Sequence, residues 1–169
     1  LRWQAGIEAD QVEVIVVDFG SDLEHREAVE KACAQFEAKI ERVEITGMWN
    51  RSKALNHGLR VARGVYLFCT DVDMIFSPNF LEEMMKAHRA AESRGALDMP
   101  QRGVIVFSRC QDLPASFEMR SYELEDYDAL LSISDQRGTN GTGACQSAHR
   151  DLFYHLRGYD EAFQHWGAE

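Results

Sequence analysis

The sequence predicts an α/β domain with a mostly parallel sheet flanked by helices, and three observations predict it. Two β-branched apolar runs, VEVIVVD at residues 12–18 and VYLFCTD at 65–71, read as buried strands that break on aspartate. Segments of helical periodicity lie between and after them, and strand–helix alternation at this spacing builds a parallel sheet with right-handed crossovers. Such sheets bind ligands beyond the carboxyl ends of their strands, which is where Asp18, Asp71 and Asp73 fall.

Taken in order, the elements follow from local pattern. After the first strand and its Asp-Gly-Ser break, residues 24–39 put Ala28, Ala32 or Cys33, and Phe36 on one helical face. IERVEI (40–45) alternates as a short strand does. Residues 50–64 place Ala54, Leu55, Gly58, Leu59 and Ala62 at helical spacing, with Gly64 as a stop. After the strand at 65–70, Pro78 opens a helix that turns Phe80, Leu81, Met84, Met85 and His88 inward, with Gly95 past its end. GVIVFSR (103–109) reads as a third strand, and the acidic segment 116–133 as a helix. Residues 136–147 hold three of the twelve glycines and read as a loop entering a short strand. A short helix, a Gly-Tyr turn and an aromatic tail close the chain.

Composition narrows the function classes. The 169 residues suit one domain spanning 1–169, with 45% hydrophobic and 27% charged residues. A formal net charge of -10 argues against sequence-blind nucleic-acid binding, which needs a basic surface. It leaves room for a nucleotide ligand, since a divalent cation bridges carboxylates to phosphates. Cys33, Cys69, Cys110 and Cys145 form no CxxC pair and predict free thiols in a reducing, cytoplasmic setting. No apolar stretch reaches the roughly 18 residues of a membrane helix, and no signal-peptide pattern opens the chain. Two glycosylation triplets, at Asn50 and Asn140, are common by chance and carry little weight. The opening LRWQAG lacks Met and reads like the end of a helix already under way, so the chain is expected to be a piece of a longer protein, truncated at both ends.

Asp71-Val72-Asp73 admits two readings at this level. Hard divalent cations take oxygen ligands, commonly one or two carboxylates with substrate phosphates, so one aspartate could ligate Mn2+ or Mg2+ while the other meets a sugar hydroxyl. Alternatively the pair caps the backbone N–H groups of a turn. A strand ending in DxD also opens haloacid-dehalogenase-type phosphatases, and VIVFS would supply their second-motif serine as Ser108. Those enzymes need a later lysine, and the last lysine here is Lys86.

VIVVDFGSD, NRSKALNHGLRVARGVYLFCTDVDMIFSPNFL and GTGACQSAHRDLFYHLRGYDEAFQHWGAE together resemble the family 2 glycosyltransferases. The likeness is greatest to the branch of chondroitin polymerases and β-1,4-galactosyltransferases, and runs from about residue 12 to the end, apart from residues 96–135. The resemblance implies a GT-A fold, a nucleotide-sugar donor (usually a UDP-sugar), a carbohydrate acceptor and Mn2+ or Mg2+. It implies that Asp18 contacts uridine, that Arg51 and Lys53 lie near the diphosphate, and that Asp73 ligates the metal while Asp71 faces the ribose or donor sugar. Arg51 and Lys53 read equally as a solvated helix face, and Asn56 as a capping or packing residue as readily as a ligand contact.

Gly141, Gly143 and Ala144 would let backbone approach the donor. Trp166 corresponds to the acceptor platform, or packs a sheet edge. Glu169 matches the first member of a Glu-Asp pair whose second member is the general base. That base lies beyond the chain end, so Asp71 and Glu169 are the catalytic candidates here. Two departures stand out. The family's central first strand is lacking, and none of His149, His155 and His165 occupies the position of its metal-ligating histidine. A catalytically silent domain that binds a nucleotide-sugar or glycan is the alternative function.

Overall fold

The computed structural model describes residues 4–45, 47–93, 103–118, 126–137 and 145–163. The chain divides into two compact units, one formed by residues 8–67 with 148–169 and the other by 1–7 with 68–147.

In the first unit, β1 (Ile15–Phe19) and β2 (Lys39–Val43) pair in parallel, with Ile15 opposite Lys39 and Asp18 opposite Arg42. The crossover between them is α1 (Leu23–Gln35). Its inward face differs from the expected one. Cys33 is its buried residue, Arg26 and Val29 are half-buried at the matching three- and four-residue spacing, and Ala28 and Ala32 are exposed. Phe36 is 51% exposed because it sits at the C-cap, where φ -108 and ψ 13 have left the helix, and the left-handed Glu37 turns the chain away.

The second helix, α2 (Arg51–Val61), starts at Asn50, whose side-chain oxygen accepts the Lys53 N–H at 2.9 Å. It lies against β1 with Gly58 facing Val17, and a Cβ at Gly58 would come within 3.2 Å of the valine. The helix ends at Ala62, before Gly64. The unit's last helix, α5 (Arg150–Leu156), is capped at its start by His149 Nδ1, which accepts the Asp151 N–H at 3.2 Å. It stops at Arg157 and Gly158, both left-handed with φ 64 and 76.

Strands β3 (Tyr66–Thr70), β4 (Ile105–Phe107) and β7 (Cys145–His149) form a sheet in the order β3-β7-β4, of which residues 68–70, 105–107 and 145–147 belong to the second unit. The rings of Phe68, Phe76 and Phe80 meet at centroid distances of 4.7 to 5.6 Å. On α3 (Phe80–Ser93), Leu81, Met84 and His88 are buried at helical spacing, as expected. Gln4 closes the start of this helix: its side-chain oxygen accepts the Leu81 N–H and its amide donates to the Ser77 carbonyl, each at 2.8 Å. Cys110 and Cys145 are buried together with Phe68, Met74 and Phe76 around them. All four cysteines are free thiols, and burial pushes the Cys145 thiol up to about 12.

The sheets and the acidic helix differ from what the sequence predicts. The described strands pair as three sheets, β1–β2 and β3-β7-β4 among them, so one mostly parallel sheet is not clearly seen. A third, antiparallel pair, β5 (Gln111–Asp112) with β6 (Asp135–Gln136), was not expected, since two-residue strands have no periodicity to read. The described part of the acidic helix, α4, spans only Tyr127–Ile133. Among the described residues, no helix is long and apolar enough to cross a membrane.

His88 Nε2 and Ser147 Oγ lie 2.9 Å apart in the second unit, at 2% and 1% exposure. Ser147→Ala strips a buried imidazole of this partner, and the expected cost is about 1–3 kcal/mol. Urea denaturation checks it, and an unchanged midpoint contradicts it.

Candidate functional site

Asp18 sits near the carboxyl end of β1 and is 6% exposed. A buried carboxylate is tolerable only if hydrogen-bonded or paired. Here Oδ1 accepts the Ser21 N–H at 3.0 Å and Oδ2 lies 3.8 Å from Arg42 Nε across the β1–β2 ladder. Arg42 in turn holds Glu30 at 2.7 Å, and Arg26 Nε donates to the Ser21 carbonyl at 3.1 Å. Burial pushes the Asp18 carboxyl up, but the Ser21 hydrogen bonds and the Arg42 and Arg26 charges together outweigh it and hold the group below its ordinary value. The chain turns immediately afterwards at Gly20, whose φ of 83 belongs to glycine and whose missing Cβ leaves room for the Ile45 side chain.

Arg51 and Lys53 occupy the first turn of α2, which contains no acidic residue. Lys53 is exposed, Arg51 is buried, and between them Ser52 is fully buried, its hydroxyl without a hydrogen-bond partner among the described residues. Asn56, one turn further on, is bound to protein. Its side-chain oxygen accepts the Tyr159 N–H at 2.8 Å, and its amide donates to the Tyr159 carbonyl and to Glu161 Oε1, both at 2.9 Å. Asn56 is thus engaged in packing; these bonds do not test its contact with a ligand. Sequence reasoning did not find this contact, nor the pairing of Asp18 with Arg42.

In the second unit, Asp71 is half-buried and Asp73 exposed directly after β3, with Val72 93% exposed between them. Thr70 Oγ1 donates to the Asp71 carbonyl at 3.1 Å. Asp73 lines a cavity of about 590 Å³ whose walls include Phe76, Phe80, Tyr127, Arg137 and Cys145. Arg137 forms a two-pronged ion pair with Asp112 across β5–β6, which lowers the carboxyl and raises the guanidinium, and the Asp71 charge adds to the latter effect. A separate group, Asp22, Glu24 and His25, offers exposed ligand atoms within 4.8 Å of one another at the start of α1. It includes neither Asp71 nor Asp73.

Asp18, Arg51 and Lys53 thus belong to one unit, and Asp71 and Asp73 to the other. Gly141, Gly143, Ala144, His165, Trp166 and Glu169 lie outside the described residues. His149 serves as a helix cap and meets Tyr66 edge-on at 5.5 Å, while His155 is exposed.

Residues 2–154 match the family model described as glycosyl transferase family 2. No curated protein and no solved structure matches the chain.

Asp18 contributes to the pH dependence of stability. Its folded pKa lies below the unfolded one, so its contribution is complete above the unfolded value near 4 and is lost as pH falls through the folded value. Asp18→Asn is expected to flatten the acid limb of the stability curve, read by urea titration from pH 7 downward; an acid limb identical to wild type contradicts the assignment.

Proposed function

The chain belongs to glycosyl transferase family 2 and is a glycosyltransferase; from that premise we propose that it transfers a sugar from a UDP-linked donor to a carbohydrate acceptor, with inversion and with a divalent cation, Mn2+ or Mg2+. The observation that carries this reading is the first turn of α2. A helix N-terminus presents N–H groups without intrahelical partners and the positive end of the helix dipole, although here Asn50 Oδ1 already accepts the Lys53 N–H. This one adds Arg51 and Lys53, no acid, and a buried serine hydroxyl with no partner among the described residues. That combination suits a diphosphate.

In this reading Asp18, kept ionised by Ser21 and the arginines, accepts a hydrogen bond from the uracil ring. Arg51 and Lys53 hold the diphosphate and stabilise the charge that grows on it as the glycosidic bond breaks. Asp73, an exposed carboxylate with hard oxygen donors, fits Mn2+ or Mg2+ better than a softer ion, and Asp71 beside it faces the ribose or donor sugar. A cation held there would neutralise part of the leaving diphosphate's charge. By resemblance Trp166 is assigned to the acceptor, Gly143 to the donor sugar and Glu169 to the catalytic pair; all three lie outside the described residues.

Thermal unfolding tests the reading. UDP at about 100 times its Kd with Mn2+ present should stabilise the chain by about 2.7 kcal/mol, and much less with EDTA. Asp73→Ala should remove the Mn2+-dependent part, and Lys53→Met should weaken UDP about tenfold by deleting one charge-assisted phosphate contact. A metal-dependent shift that survives Asp73→Ala sinks the ligand assignment.

A further inference from the structure

Asn50 and Asn56 stand six residues apart on α2, and both turn toward the chain after α5. Asn50 donates to the carbonyls of Glu161 and Phe163 at 2.9 and 3.1 Å while its oxygen caps Lys53. Asn56 exchanges a reciprocal pair of hydrogen bonds with the Tyr159 backbone and reaches Glu161 Oε1. Both amide donors of each asparagine are therefore engaged by protein. The segment they hold is itself a tight turn, with the Ala162 N–H on Asp160 Oδ1 at 2.9 Å. Gly158 leads into it at φ 76, and a Cβ there would strike Asn56 Oδ1. Lacking one, Gly158 lets the backbone come close enough for the Tyr159 exchange.

We infer that Asn50 and Asn56 are positioning residues: they fasten residues 159–163, and so the point from which the chain runs on to Trp166 and Glu169, to the helix that carries Arg51 and Lys53. The inference rests on the functional reading above, in which α2 holds the donor diphosphate and the following residues serve the acceptor. Transfer needs both reactants held in register, and errors of an ångström are costly. Loops seldom supply such register unaided. Two side-chain amides on a helix supply it here, and one of them also caps the helix turn proposed to bind phosphate.

Hydrogen–deuterium exchange on the full chain tests this, with UDP and Mn2+ as the donor-side probe. Asn56→Ala should raise exchange at the 159–163 amides about tenfold, with exchange in β1 unchanged. Glu161→Ala removes a single bond made by an exposed side chain, should loosen the same segment, and decides the matter if Asn56→Ala fails to fold. Glu161→Gln keeps an acceptor oxygen and should restore wild-type exchange. In Glu161→Ala, UDP affinity should stay within about twofold of wild type, because α2 itself is untouched. Unchanged exchange at 159–163, an equal rise in β1, failure of Gln to restore, or a joint loss of UDP affinity in Glu161→Ala each overturns the inference. UDP that fails to bind the wild-type chain instead overturns the donor reading, and the exchange data report on the clamp independently.

Discussion

The first unit depends on one helix being held on three sides. A two-stranded sheet such as β1–β2 is marginal alone and needs a layer against it. Helix α2 supplies that layer because Gly58 has no side chain to hold it off Val17. His57 on the same helix lies 3.2 Å from Glu41 on β2, and the Leu59 carbonyl accepts the Tyr154 hydroxyl at 3.3 Å. Asn50 and Asn56 then tie down the chain beyond α5. Five of the residues that make these contacts, Asn50, Asn56, His57, Gly58 and Leu59, fall within NRSKALNHGL, the stretch that also carries Arg51 and Lys53. The helix that organises the unit is therefore the helix proposed to meet the diphosphate.

Charge placement follows a similar economy. A chain with a net charge of -10 has to gather its cations where an anion is to bind. Arg26 and Arg42 are engaged around Asp18, Ser21 and Glu30, keeping one buried carboxylate ionised, and Arg51 and Lys53 stand in the first turn of α2, which holds no acidic residue. Asp71 and Asp73 belong to the other unit, where the Asp71 charge acts on Arg137.

Much of this was legible in the sequence, for identifiable reasons. Apolar runs that end at aspartates announce strands, so β1, β3 and the positions of Asp18, Asp71 and Asp73 could be read directly, although the apolar residues of β1 are only half-buried and Asp18 is its buried residue. Helical spacing gave α3 with its buried Leu81, Met84 and His88. It misled at Phe36, where the helix had already ended, and it understated α2, where Asn56 and Ser52 are as buried as Leu59. Polar burial has no periodicity. The partner of Asn56 lies 103 residues away, a separation that no local pattern encodes. The two-residue strands β5 and β6 are set by each other and by the Asp112–Arg137 pair, again across distance in sequence.

Metal-assisted sugar transfer from a UDP donor is measured most directly by the release of UDP. A panel of UDP-sugars incubated with the chain, with Mn2+ or with EDTA, is predicted to yield UDP from at least one donor in the presence of Mn2+ and none with EDTA. Release that EDTA does not diminish, or no release from any UDP-sugar, would contradict it.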